Sequence, residues 1–358
     1  MRLILLVAVV AGVAVAVPPS PKASAKFTTP QEMMKLLEDS PRSYEIKTEP
    51  NAYAQWGQQN ANLAWPQSHE PIPFPRLRTN KDGSRTLENT ERAEEVDVML
   101  EKVEPLFEAK DWAGAEKGYA AILAKYPDDY GLNLDWGDAA LFGGKVEIAL
   151  ARYEKAGKIN PSDHRSWWYR GNALARLGRR KEAIDAWIHA LALAPDNHNL
   201  LSGLDMHAPE LGYVLKSRTL MPQARITPSK DGYSISFAAK THWLAWGICK
   251  AIWRGEPSYR KKKTGREEDG FSIMEEQECL VNLAATYEGT RASNKNEAND
   301  PVVDHLLAVT KEKLFSGYVI YEVASRVEPH IYLQQSPEVQ RQVEDYLRKY
   351  VLVPAPAP

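Results

Sequence analysis

Little in this chain points to chemistry. Cysteine occurs twice in 358 residues, at Cys249 and Cys279, and forms no cysteine–histidine cluster with zinc spacing. The two form no CxxC pair of the kind that exchanges thiols. HExxH, a GxSxG elbow, a phosphate-cradling glycine loop and a dinucleotide fingerprint are all missing. The eight histidines are scattered, without zinc spacing. Charge of one sign is lacking too: 45 basic residues face 47 acidic ones, so the basic excess of a nucleic-acid binder is not there. Beyond the first 25 residues no apolar run approaches a bilayer span. The expectation is a chain without cofactor, metal or catalytic residues.

What the chain does contain is order of another kind. Arg2, an unbroken apolar run over residues 3–17 and Ala23-Ser24-Ala25 read as a signal peptide ending at residue 25. With no further span, the mature protein is expected to be exported, periplasmic or extracellular, in a bacterial envelope. An oxidising compartment admits a disulfide between Cys249 and Cys279; two buried thiols are the alternative.

Pro127, Pro161 and Pro195 stand 34 residues apart. Twelve residues before each is an alanine (Ala115, Ala149, Ala183), and eight before is an aromatic (Tyr119, Tyr153, Trp187). Such a period marks stacked helical hairpins. The alanine lets two helices cross closely, the aromatic fills the groove beside them, and proline ends the second helix.

These residues resemble the tetratricopeptide repeat family over about 96–197. The third repeat carries Trp167, Gly171, Ala183, Trp187, Ala190 and Pro195, with Arg170 where the family has leucine. The second carries Trp136-Gly137, Ala149, Tyr153, Ala156 and Pro161. The first is degenerate, with Val103 for the glycine and Ile122 for the later alanine. The resemblance implies a solenoid that binds a protein partner in its concave groove.

By helical spacing, the strip beside the packing stripe holds Arg165, Trp168, Asn172, Ala175 and Arg176 in the third hairpin. In the second it holds Leu134, Asp138, Leu141 and Phe142, and in the first Leu100, Glu104 and Phe107. The candidate groove is therefore Leu134, Asp138, Phe142, Arg165, Trp168, Asn172 and Arg176. The family's clamp for chain termini needs lysines and asparagines over successive repeats, and only Arg165 and Asn172 approach it. An internal occupant, residues 26–90 or the C-terminal region, is the alternative for Trp168 and Phe142.

The expected fold is mainly α. A solenoid of three repeats and a capping helical segment spans 91–215, followed by a mostly helical α+β region over 222–353. Before it, 26–90 reads as an irregular proline-rich segment on the body, with short helices after Thr29 and over 53–63. Residues 354–358 read as a Pro/Ala tail. Glu275, Glu276 and Glu278 read as a solvated helix face, and Arg260–Lys263 as a solvated loop. Trp243, Trp246 and Trp253 read as core on one helical stripe, or as a sugar-stacking platform.

The functional expectation is a non-catalytic scaffold or adaptor in an envelope assembly for transport, motility or cell-wall work. No nucleic acid is expected among its partners. The alternative is an enzyme or glycan-binding module in 222–353, with a pocket lined by His242, Glu275 and Tyr259 and the repeats as a docking arm.

Overall fold

The structure, a computed structural model, describes residues 15–16, 26–49, 59–268, 270–294 and 299–356. The expected signal peptide lies outside them, apart from Val15–Ala16, which pairs antiparallel with Leu87 and Thr86. The chain divides into two compact units: residues 71–216 with 352–358 and the first nineteen residues, and residues 20–70 with 217–351.

The first unit is a stack of helical hairpins. The second hairpin pairs Tyr130–Phe142 with Val146–Ile159, and the third pairs His164–Arg176 with Arg180–Leu193. In the first, the leading helix is broken into Glu94–Leu100 and Glu104–Glu108, followed by Trp112–Leu123. Helix His198–His207 follows the third. Aspartates and asparagine supply starts: Asp111, Asp129, Asp163 and Asn197 each accept a backbone N–H of the following turn.

Ala115, Ala149 and Ala183 occupy matching, fully buried positions. The aromatic rings replace a neighbour's side chain altogether. A Cβ on Gly137 would lie 2.3 Å from Tyr153 Cε1, and one on Gly171 2.3 Å from Trp187 Cδ1. In the degenerate hairpin the small and large partners are exchanged, with Val103 facing Gly118. The turn inside each hairpin needs a left-handed residue. Gly144 and Gly178 provide it, and Lys110 adopts it in the first hairpin with φ 60.

A β-hairpin, Pro75–Thr79 with Arg85–Asn89, belongs to the same unit. Leu77 N–H donates to Ser162 Oγ at 3.1 Å, and Asn160 Nδ2 to the Pro75 carbonyl at 3.1 Å. The anticipated irregular segment 26–90 is thus divided, and its second part is strand. Leu352–Pro354 is also a strand, antiparallel to Tyr213–Leu215, and Ala355 N–H donates to the Gly212 carbonyl. What reads as the start of a tail therefore forms a ladder.

The second unit holds a three-stranded sheet. Gly232–Phe237 is central, antiparallel to Ala224–Pro228 and parallel to Ser43–Thr48. Helix Thr241–Gly255 packs on it, and Cys249 is disulfide-bonded to Cys279 on helix Ile273–Ser293, their Cα atoms 5.3 Å apart. Helix Pro30–Glu38 begins with a capping box between Thr29 and Glu32. Of the helix expected over 53–63, residues 59–64 are helical and 53–58 lie outside the described residues. The unit also holds helices Pro257–Thr264, Pro301–Lys311, Phe315–Val319, Ser325–Val327, Ile331–Gln334 and Pro337–Tyr346, with π-turns at Ile320–Ala324 and Leu347–Val351.

Two expectations fail here. Glu275, Glu276 and Glu278 are buried, and Glu278 has no exposure at all. Its carboxylate accepts from Trp253 Nε1, Tyr259 Oη and the Thr28 N–H at 2.7 Å each, and from Lys263 Nζ at 2.6 Å. The run Arg260–Lys263 is helical, and Arg260 and Lys263 turn inward to these acids. The charged face is inside because Lys250, Arg260 and Lys263 of the two preceding helices neutralise it, with neutral donors from Trp65 and Thr28 added. No helix of the described residues is long and apolar enough to cross a membrane.

Candidate functional site

The candidate groove residues sit on the leading helices of the second and third hairpins, and the structure sorts them into three kinds. Leu134 is a correction: it is 4% exposed and belongs to the hairpin core. Its neighbours Asn133 and Ala140 face inward too, so the packing stripe is wider here than period alone suggests.

Arg165 is held by the protein itself. Its Nε donates to Asp163 Oδ1 at 2.9 Å, and Nη2 reaches both Asp163 Oδ2 and Tyr130 Oη, the latter at 3.0 Å. The guanidinium lies 4.4 Å from the Phe74 ring centroid. Burial raises the Asp163 carboxyl, but the Arg165 hydrogen bonds outweigh it and hold it low. Arg165 therefore braces the junction between hairpins. Asn172 is engaged as well, its Oδ1 accepting from Trp187 Nε1 at 3.0 Å.

Of the remainder, Phe142 and Arg176 are exposed, while Trp168 and Asp138 are half-buried. Phe142 is 56% exposed, its ring 5.5 Å from Trp112 and 6.1 Å from Phe107. Arg176 is exposed, with Nη1 donating to the Leu141 carbonyl at 3.3 Å. Trp168 is half-buried, and its indole lies where a Cβ on Gly203 would stand. One turn before Phe142, half-buried Asp138 accepts from Tyr153 Oη at 2.7 Å. Burial pushes its carboxyl up to about 6, against the pull of that hydrogen bond. Asp135 is raised too, by burial first, although Arg92 Nη2 bonds it at 3.0 Å.

Asp135, Arg92 and Trp112 are the residues that spacing did not single out for this surface. Phe107 was on the strip of the first hairpin; Arg92 lies ahead of the repeats, where no period reaches it. The arrangement presents aromatic faces beside an acid and an arginine. These are the residue types that anchor polypeptides. It offers neither a nucleophile–base pair nor a group of metal ligands; among the described residues no such ligand group exists.

In the second unit, Trp243, Trp246 and Trp253 are buried and form core, so no indole face is available to a sugar. His242 is buried against Asp300, its Nε2 3.0 Å from Oδ2. Burial raises Asp300, but hydrogen bonds from His242, Trp243 and Lys240 hold it far below the usual carboxylate range. His242, Glu275 and Tyr259 do not share a pocket: Glu275 meets Lys250 and Arg260, whereas Tyr259 meets Glu278 and Thr28.

No curated protein matches this chain. Solved structures similar to part of it include the TPR domain of Sgt2 from Aspergillus fumigatus, at 18% identity, covering 33% of this chain and 80% of that one, with a TM-score of 0.31. The Arabidopsis OM64 TPR domain shares 24%, covering 32% and 94%, with a TM-score of 0.30. The Yersinia enterocolitica type III secretion chaperone SycD, in complex with a peptide of the translocator YopD, shares 14%, covering 33% and 96%, with a TM-score of 0.30. No family matches the C-terminal region. A family model does match residues 134–198, and that family is the tetratricopeptide repeat.

Proposed function

We propose that this protein is an exported adaptor of a bacterial envelope assembly that grips a polypeptide segment along its repeat groove. Repeats of this kind are protein-interaction modules, and the residues at the surface have the matching chemistry. The observation that carries the reading is Phe142, a large aromatic left 56% exposed on the leading helix, beside Asp138 and Arg176. An aromatic cluster of this kind on a soluble surface marks an interaction site. The export part of the reading rests on the composition of residues 1–25.

A photo-crosslinking residue at position 142, introduced in the native cell, is expected to capture a discrete protein adduct. The same residue at Ile148, exposed on the second helix of that hairpin, is expected to capture none. Equal capture at both positions refutes the groove. Recovery of an uncleaved N-terminus from the cytoplasmic fraction refutes export.

A further inference from the structure

The second unit contains an open cleft of about 390 Å³, within the size range of small-molecule sites. Its floor is a buried ion network. Lys250, 2% exposed, bonds both Glu275 and Glu276, the latter at 2.6 Å. Arg260 Nη2 meets the second oxygen of Glu275 at 2.8 Å, and Trp65 Nε1 meets the second oxygen of Glu276 at 2.9 Å. Every carboxylate oxygen of the floor is thus matched by a donor. Leu63, Pro228, Tyr233 and Phe271 supply apolar wall.

Among the described residues that line the cleft the charges do not balance: Lys250, Arg254 and Arg260 stand against Glu275 and Glu276. Because Lys250 and Arg260 are committed to the two acids, the surplus is Arg254. It lies one helical turn beyond Lys250 on the same helix, so both address the same side. Its Nη2 reaches the Ala64 carbonyl at 3.5 Å, a long contact, and it has no acid partner among the described residues. A half-buried guanidinium beside apolar wall, with its donors largely unmatched, fits a planar carboxylate.

We propose that this cleft binds a small organic acid, with its carboxylate on Arg254 and its apolar body against Phe271 and Leu63. The site is separate from the repeat groove and stands or falls independently of it. The floor acids repel nothing once matched, and they deny the cleft to a cation by using their oxygens internally.

The test is calorimetric titration of the full chain with benzoate and hexanoate, each paired with its uncharged amide. Fragments of this size are expected to bind at about 10 mM or tighter. The acids are expected to bind at least about tenfold more tightly than benzamide and hexanamide. Arg254→Gln removes that preference and Arg254→Lys retains part of it. Phe271→Asp, which sets a fixed carboxylate in the wall, weakens the acids more than the amides. Acids and amides binding alike overturns the proposal, as does acid binding unchanged in Arg254→Gln, or no binding by either acid. The acid–amide comparison on the unaltered chain needs no variant to fold.

Discussion

Tyr153 Oη donates to Asp138 Oδ1 at 2.7 Å, and 34 residues on Trp187 Nε1 donates to Asn172 Oδ1 at 3.0 Å. In both hairpins the ring crosses a glycine, Gly137 or Gly171, to reach a polar residue one position later on the leading helix. The packing ladder and the outer side of the leading helix are therefore joined through one side chain. The aromatic that wedges the hairpin together also fixes the polar group beside the glycine.

Filling the seat of that ring should loosen the stack. In Gly137→Ala or Gly171→Ala the new Cβ meets ring carbon at 2.3 Å, so ring or helix must move. Such overpacking costs about 1–3 kcal/mol. Urea unfolding followed at the repeat helices is expected to show a lowered midpoint, whereas Gly83→Ala, in an exposed turn, serves as a comparison for strain without contact.

Asp138 should make the stack respond to acid. Its carboxyl rises from 3.8 to about 6 in the fold, so the folded chain binds that proton more readily than the unfolded chain. The stabilisation from this group is complete below pH 4 and is lost as pH rises through about 6. The groups facing it are Asp135 on its own helix and Tyr119, Tyr153 and Tyr169 from the neighbouring helices, and the tyrosines stay neutral in this window. Asp138→Asn is expected to flatten the stability profile between pH 4 and pH 6. Asp135, raised by its own burial, keeps the residual slope. An unchanged profile in Asp138→Asn contradicts the assignment.

Lys110 holds the left-handed turn that Gly144 and Gly178 hold in the other hairpins. That conformation costs a residue with a Cβ about 1 kcal/mol. Lys110→Gly is expected to raise the unfolding midpoint by a comparable amount, and a lowered midpoint counts against strain at this turn.

The buried ions of the second unit should tolerate joint removal better than single removal. Lys250→Met leaves Glu275 and Glu276 short of their shared cation, a change that costs about 3–5 kcal/mol. Adding Glu276→Gln is expected to recover part of the loss. A double-mutant cycle in urea measures the coupling, and strict additivity argues that the three side chains do not act as one network.

The repeat ladder is legible in the sequence because it is periodic and local: each alanine, aromatic and proline meets a residue of its own or the next hairpin. The disposition of Glu275, Glu276 and Glu278 is not legible. Their partners Trp65 and Thr28 come from far along the chain, and Arg260 from the preceding helix, and a helix face with three acids looks wet until those partners are placed. Strand Ser43–Thr48 is hidden for a related reason. Its alternation of Tyr44 and Ile46 with polar residues is short, and five of its six residues are exposed, so it is defined by its parallel pairing with Gly232–Phe237. Of the candidate groove residues, spacing rightly leaves Phe142 and Arg176 exposed and Asp138 half-buried, but places Leu134 outside when it is core. It also treats Arg165 as available, when Asp163 and Phe74 already hold it.

Leu215 and Leu352 are ladder partners, so everything the gene encodes between them leaves and re-enters the first unit at adjacent points. Topologically that stretch is an insert with a closed mouth, like a word set in parentheses. A premature stop anywhere inside it removes the closing strand, and so damages a unit whose hairpins were already complete by residue 207. Lesions in the second unit and defects in the first are thereby linked through the order of synthesis alone.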